Sequence, residues 1–143
     1  MLQIPRSLID AMVDHATASH PIEACGVISG SWATGIPTRH IPLVNAAQST
    51  EFYEVGSAEL LKLYRNLDDA QEVPVIIYHS HTSTPAVPSA TDIALASEPD
   101  AHYVLISTGD WVVPGDPIEV RSFRIVDGQV SEEPLEVRPD QGR

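Results

Sequence analysis

The chain has 143 residues, 43% of them apolar and 20% charged, which fits one domain with a hydrophobic core and leaves little room for two. Asp and Glu outnumber Lys and Arg by 20 to 8, a formal charge of −12, so the surface repels nucleic-acid backbones and anionic membranes. Cys25 is the only cysteine, which excludes an internal disulfide and a thiolate-rich metal site.

Ser7 to Ser19 reads as a first helix, with Leu8, Ile9, Met12, Val13 and Ala16 at helical spacing, Ser7 as its cap and Asp10 at the third helical position. The opening segment has no long apolar core, so neither a signal peptide nor a membrane span is expected, and a cytoplasmic location is the default. Pro21 ends the helix. Residues 25–30 read as a short buried strand and 31–38 as a loop. Residues 40–44 read as a second strand, which Pro42 assigns to an edge or a bulge. Phe52 to Val55 is expected to be extended. Ser57 is then expected to cap a helix of about a dozen residues with Leu60, Leu61, Tyr64 and Leu67 facing inward.

The continuous hydrophobicity of residues 73–81 predicts a central strand covered on both faces. A Pro-rich loop over 82–88, a short helix from Ser89 to Ser97 and an apolar strand over 101–108 follow. Residues 109–118, containing Trp111, read as a loop. Residues 119–126 alternate as a strand, and Asp127-Gly128 predicts a tight hairpin into Val130. One α/β domain over 1–133 is expected, with 134–143 tailing off as a polar C-terminal segment.

The chemistry concentrates in a few residues. His79 and His81 are two apart at the end of a strand, so both imidazoles can point to one face. Asp92, eleven residues beyond His81, can return over the strand end from the next helix. Two histidines and a carboxylate suit zinc and leave the fourth position open for water, the pattern of a catalytic site. A plainer reading competes. Isolated histidines are usually structural, and Ser89 with Asp92 reads as a helix cap with a carboxylate at the third position. A cap and a ligand are compatible roles. Glu23, between a helix and a strand, reads either as a solvated loop carboxylate or as a general base beside the metal. Ser89 could donate a hydrogen bond to a developing oxyanion. Cys25 reads as a buried structural thiol, with a redox or metal-contact role as the alternative. His102 reads as a satisfied structural histidine, and His15, His20 and His40 have no spacing that demands a site.

The run His79-Ser80-His81, seven residues, then Ser89-Ala90-Thr91-Asp92 resembles the motif of the JAMM (MPN-plus) metalloprotease family. His20 to Gly26 resembles the segment that carries that family's catalytic glutamate. The resemblance covers nearly the whole chain. It implies a JAMM/MPN-like mixed central sheet flanked by helices, with Zn2+ on His79, His81 and Asp92. It also implies Glu23 as general acid/base, Ser89 as oxyanion donor, and hydrolysis of peptide or isopeptide bonds at the C-terminus of ubiquitin-like proteins. Residues 39–55, 72–92, 98–108 and 121–134 are similar to those of the small stand-alone actinobacterial Mec subgroup, which releases cysteine from a ubiquitin-like sulfur carrier. That implies a small carrier ending in Gly-Gly as partner and a place in cysteine biosynthesis. No nucleic-acid or membrane partner is expected, and the exposed strand edges leave room for a homodimer. The competing functions are an isopeptidase for another ubiquitin-like modifier and a non-catalytic ubiquitin-like binding module. The walls of a groove for an extended tail are expected from Ser49 to Gly56 and from Thr82 to Pro88.

Overall fold

The computed structural model describes residues 1–109 and 117–140. A six-stranded mixed sheet forms the centre, in the order β3-β2-β4-β5-β6-β7. Its strands are β2 (Cys25–Ser31), β3 (Pro37–Leu43), β4 (Glu72–His81), β5 (His102–Ser107), β6 (Glu119–Val126) and β7 (Gln129–Glu133). Only β4 and β5 run parallel; the other neighbours are antiparallel. A separate parallel pair joins β1 (Leu2–Pro5) to β8 (Leu135–Arg138). The helices are α1 (Arg6–Ser19), α2 (Ser57–Ala70) and α3 (Ala90–Leu95).

β4 sits inside the sheet, as its unbroken apolar run predicts, and its alternation divides the molecule. Ile76 and Tyr78 face α1, β1 and β8, where Ile4, Met12, Ile28, Val104 and Ile106 complete the main core. Ile77 faces the other way, against Val27, Leu63 and Leu67 beneath α2. The same face continues past Ile77 to Tyr103, Ile125, Ile93 and Ala96 beside α3. Each large apolar side chain buried this way stabilises the fold by about 1.5–3 kcal/mol relative to exposure. Gly26 lies where β2 crosses Tyr78, and a Cβ there would collide with the phenol ring.

Several expectations change. The last ten residues do not simply tail off: Leu2↔Leu135 and Ile4↔Val137 pair, and Leu135 and Val137 close the α1 side of the core. Two four-residue strands are too short to stand out in sequence, and each supplies the other's ladder. α1 starts at Arg6 with Pro5 as N-cap, and the Ser7 N–H donates to Asp140 at 3.0 Å, so the tail takes the place of the Ser7 cap. α2 has Gly56 as N-cap, Ser57 is its first residue, and no side chain caps it. Its inner face is Leu63 and Leu67, while Leu60 and Leu61 are 41% and 53% exposed. β3 begins at Pro37, which shortens the loop expected over 31–38, and Pro42 does lie on an edge strand. Phe52 to Val55 belongs to no helix and joins no ladder. The Asp127-Gly128 turn has φ values of 51° and 76°, as a two-residue hairpin of the primed type requires. Trp111 lies outside the described residues.

Candidate metal centre

β4 delivers His79 and His81 to the face it shares with α2 and α3. Cys25 of β2 pairs with His79 across the ladder, so Glu23, two residues before Cys25, approaches the same face. The third group comes from α3. Ser89 is its N-cap: the Oγ accepts from Asp92 N–H at 3.1 Å, and Asp92 Oδ2 accepts from Ser89 N–H at 2.8 Å. This capping box holds the Asp92 carboxylate over the end of β4. Cap and cluster are thus one arrangement.

Asp92 Oδ2 lies 3.1 Å from His79 Nε2 and 3.1 Å from His81 Nε2, and the two nitrogens are 3.2 Å apart. A tetrahedral zinc with bonds of about 2.0–2.1 Å separates its ligand atoms by roughly 3.3 Å. The near-equilateral triangle therefore has the dimensions of one face of such a site. His81 Nδ1 donates to the Pro85 carbonyl at 2.9 Å, which fixes the ring and leaves Nε2 aimed into the cluster. Both histidines are buried, and Asp92 is half-buried. Among the described residues this is the group of His, Cys, Asp and Glu side chains arranged to hold a metal ion.

The electrostatics favour positive charge at this spot. Burial alone would raise the Asp92 pKa, but hydrogen bonds from His79 and His81 outweigh it and hold the carboxyl well below its usual range. For His81 burial works downward, yet Asp92, the Pro85 carbonyl and the charge of Glu23 raise the net value. Glu23 is 4% exposed, and burial pushes its carboxyl up to about 7, with His81 opposing and Asp92 adding to the rise. Glu23 therefore belongs to the cluster's field and is no solvated loop carboxylate. Cys25 is buried and free, and burial pushes its thiol up to about 12, as an inert structural thiol requires.

A groove of about 400 Å3 opens beside the cluster. Cys25, His79 and Asp92 line it on the cluster side, and Tyr53, Val55, Pro88 and Leu95 are among its walls. The anticipated wall segments thus contribute Tyr53 to Val55 and Pro88, while α2 and the end of α3 add surfaces the sequence did not single out. A larger cavity of about 570 Å3 lies between β1 and the β2–β3 turn and touches none of the cluster residues. Tyr53 stacks on His79 with ring centroids 4.7 Å apart. Asn45, in a stretch that reads only as polar, sends its amide to the backbone of both Glu23 and Phe52. The remaining histidines serve the fold. His102 Nδ1 meets Glu133 at 2.6 Å, His20 Nδ1 meets Thr108 Oγ1 at 2.9 Å, and His15 and His40 both meet the Tyr78 hydroxyl.

A mixed sheet flanked by helices, with this His-His-Asp triangle at the end of a central strand, defines a JAMM/MPN-like domain of the metallopeptidase class. The family model described as prokaryotic homologs of the JAB domain matches residues 5–126, and the chain belongs to that family. It is 55% identical over 137 residues to the CysO-cysteine peptidase of Mycobacterium tuberculosis, covering 96% of this chain and 91% of that protein. The solution structure of a Desulfitobacterium hafniense protein aligns with a TM-score of 0.80 at 30% identity, over 98% of this chain and 94% of the other. A JAB1/MPN domain protein from Archaeoglobus fulgidus aligns with a TM-score of 0.60 at 20% identity, over 96% and 98% of the two chains, and shares the fold.

Proposed function

We propose that the protein is a zinc-dependent peptidase that hydrolyses the amide bond after the C-terminal glycine of a ubiquitin-like sulfur carrier and releases cysteine for cysteine biosynthesis. The observation that carries this reading is the His79–His81–Asp92 triangle beside a groove that His79 and Asp92 line, with the buried carboxyl of Glu23 in its field. The substrate assignment is supported by the 55% identity to a CysO-cysteine peptidase across nearly the whole of both chains. A cytoplasmic location goes with this reading; no helix among the described residues is long and apolar enough to cross a membrane.

His79, His81 and Asp92 would hold Zn2+, which when bound supplies Lewis-acid activation of water and of the scissile carbonyl. Glu23 takes a proton from the attacking water and delivers it to the leaving amine. Its buried position raises its pKa to about 7 in the metal-free site, which keeps its basicity above that of an ordinary carboxylate and suits it to accept and return a proton. Ser89 Oγ uses a lone pair for the cap, so its own hydrogen stays available to the oxyanion. The groove wall at Tyr53 to Val55 guides an extended tail, and a diglycine end suits a narrow passage because it carries no Cβ.

The test is incubation of the purified chain with a carrier–cysteine adduct, followed by mass spectrometry of both products. Free cysteine and the shortened carrier are expected, and a chelator abolishes both. Cleavage of a lysine-linked conjugate with no release of cysteine would replace the substrate assignment. A chain that binds no zinc and cleaves neither substrate would be a binding module.

A further inference from the structure

The loop between β3 and α2 lays the Tyr53 ring against His79, and one buried side chain holds it there. Asn45 is 7% exposed. Its two amide hydrogens go to the Glu23 carbonyl and the Phe52 carbonyl, each at 3.0 Å. Its Oδ1 accepts from Ala47 N–H and Glu54 N–H, each at 3.1 Å. The hydrogen-bonding capacity of the amide is therefore filled, and only one orientation of the amide satisfies two carbonyls on one side and two N–H groups on the other. The Phe52 carbonyl and the Glu54 N–H are the backbone groups on either side of Tyr53. Asn45 grips this residue as the peptide of a neighbouring strand would.

Tyr53 lies on the His79 ring at 4.7 Å and 31°, and it lines the groove where His79 and Asp92 do. The same amide that brackets Tyr53 also holds the Glu23 backbone. Two further bonds close the loop on the site: Glu23 N–H donates to Ser49 O at 2.9 Å, and Thr82 Oγ1 donates to Thr50 O at 2.8 Å. Ligands of a catalytic metal need their ring planes set by outer contacts, and a base must be placed to within a fraction of an ångström of its proton.

We infer that Asn45 is a positioning residue, and that its amide fixes Tyr53 over His79 and the Glu23 backbone beside the metal centre as one unit. The catalytic consequence rests on the peptidase reading, but the geometric one does not. Loss of the two amide hydrogens frees the 52–54 segment, the Tyr53 ring leaves His79, and the base loses its register with the groove.

The experiment follows the His79 ring signals by NMR in the isotope-labelled full chain, with and without Zn2+. An aromatic ring stacked at this distance shifts them upfield, so Tyr53→Leu moves them. Asn45→Ala and Asn45→Asp are expected to move them in the same direction; the aspartate keeps the shape and the acceptors and loses both donors. In the zinc-loaded chain the expected loss is at least tenfold in kcat for cleavage of the carrier adduct. Asn45→Asp adds little further loss in the Tyr53→Leu background. His79 signals that stay in place in both Asn45 variants overturn the proposal, whatever happens to the melting temperature. Signals that also ignore Tyr53→Leu overturn it too. So does an Asn45→Asp chain that does not fold, because the residue would then be structural. If the wild-type chain cleaves no adduct, the peptidase reading falls while the His79 signals still decide this one.

Discussion

Adjacent residues of β4 carry two histidine clusters on opposite faces of one sheet, and the two are built to different ends. On the α1 face the Tyr78 hydroxyl lies 2.6 Å from His15 Nδ1 and 2.7 Å from His40 Nε2. A phenol donates once and accepts, so two neutral imidazoles close this network with no ion. Burial lowers both histidine pKa values, and a proton on His15 disfavours one on His40, so the neutral forms are favoured. On the other face His79 and His81 direct Nε2 at each other and at one carboxylate oxygen. That arrangement calls for positive charge, and the raised pKa of His81 expresses the same demand in protons. A histidine pair around a hydroxyl is a fastener. A histidine pair around a carboxylate beside a groove is suited to hold a cation.

The largest effect expected from this contrast is at the cation site. His81→Ala removes one of the three proposed ligands and should take zinc content to near zero and cleavage to background, as read by metal analysis and product release. The fold should survive, since most of the core lies across the sheet. Glu23→Gln comes next. It should keep zinc and lower kcat by about 10²–10⁴-fold, the usual contribution of a positioned acid–base group. Glu23 must be ionised to accept a proton, so activity of the wild type falls on the acid side as pH drops through its pKa. That pKa is about 7 without a metal, and a bound cation favours the carboxylate and moves it lower. The acid limb should therefore lie at or below pH 7 and vanish in Glu23→Gln.

Tyr78→Phe attacks the fastener. It leaves imidazole nitrogens of His15 and His40 without their partner, at a cost of about 1–3 kcal/mol. Thermal melting should drop by several degrees, with zinc content unchanged and kcat little altered. A variant that loses zinc instead would show that the two clusters are not independent.

The smallest effect is away from both. Burial would raise the Glu133 pKa, but hydrogen bonds from His102 and Ser122 lower it overall. A depressed carboxyl contributes stability above its unfolded pKa and loses it as pH falls through the folded value. Glu133→Gln should cost about 1 kcal/mol at pH 7 by denaturant unfolding. The difference from wild type should close as both are taken to acid pH.

Much of this was legible before folding. The spacing of His79, His81, Ser89 and Asp92 is compatible with a metal site and a helix cap together, because a strand has period two and a cap needs its carboxylate three residues on. The apolar run before His79 marks the central strand, and Asp127-Gly128 marks the hairpin. What failed to show has a common cause. β1 and β8 are four residues each, and their pairing spans the chain. The burial of Leu63 in place of Leu60 and Leu61 depends on the angle at which α2 meets the sheet. Asn45 and Tyr53 sit in a polar loop whose composition says nothing of where its backbone bonds go.

The sequence alone brought the candidate ligands together and matched them to a family motif, because ligand type and local spacing are properties of strands and helix caps that short segments carry with them. Only the tertiary structure decided how that chemistry is housed. Burial raises the Glu23 pKa to about 7, Tyr53 is laid on His79, and the chain's two ends are joined beneath α1. Each of these depends on contacts between residues far apart in the chain, whose partners no local pattern records.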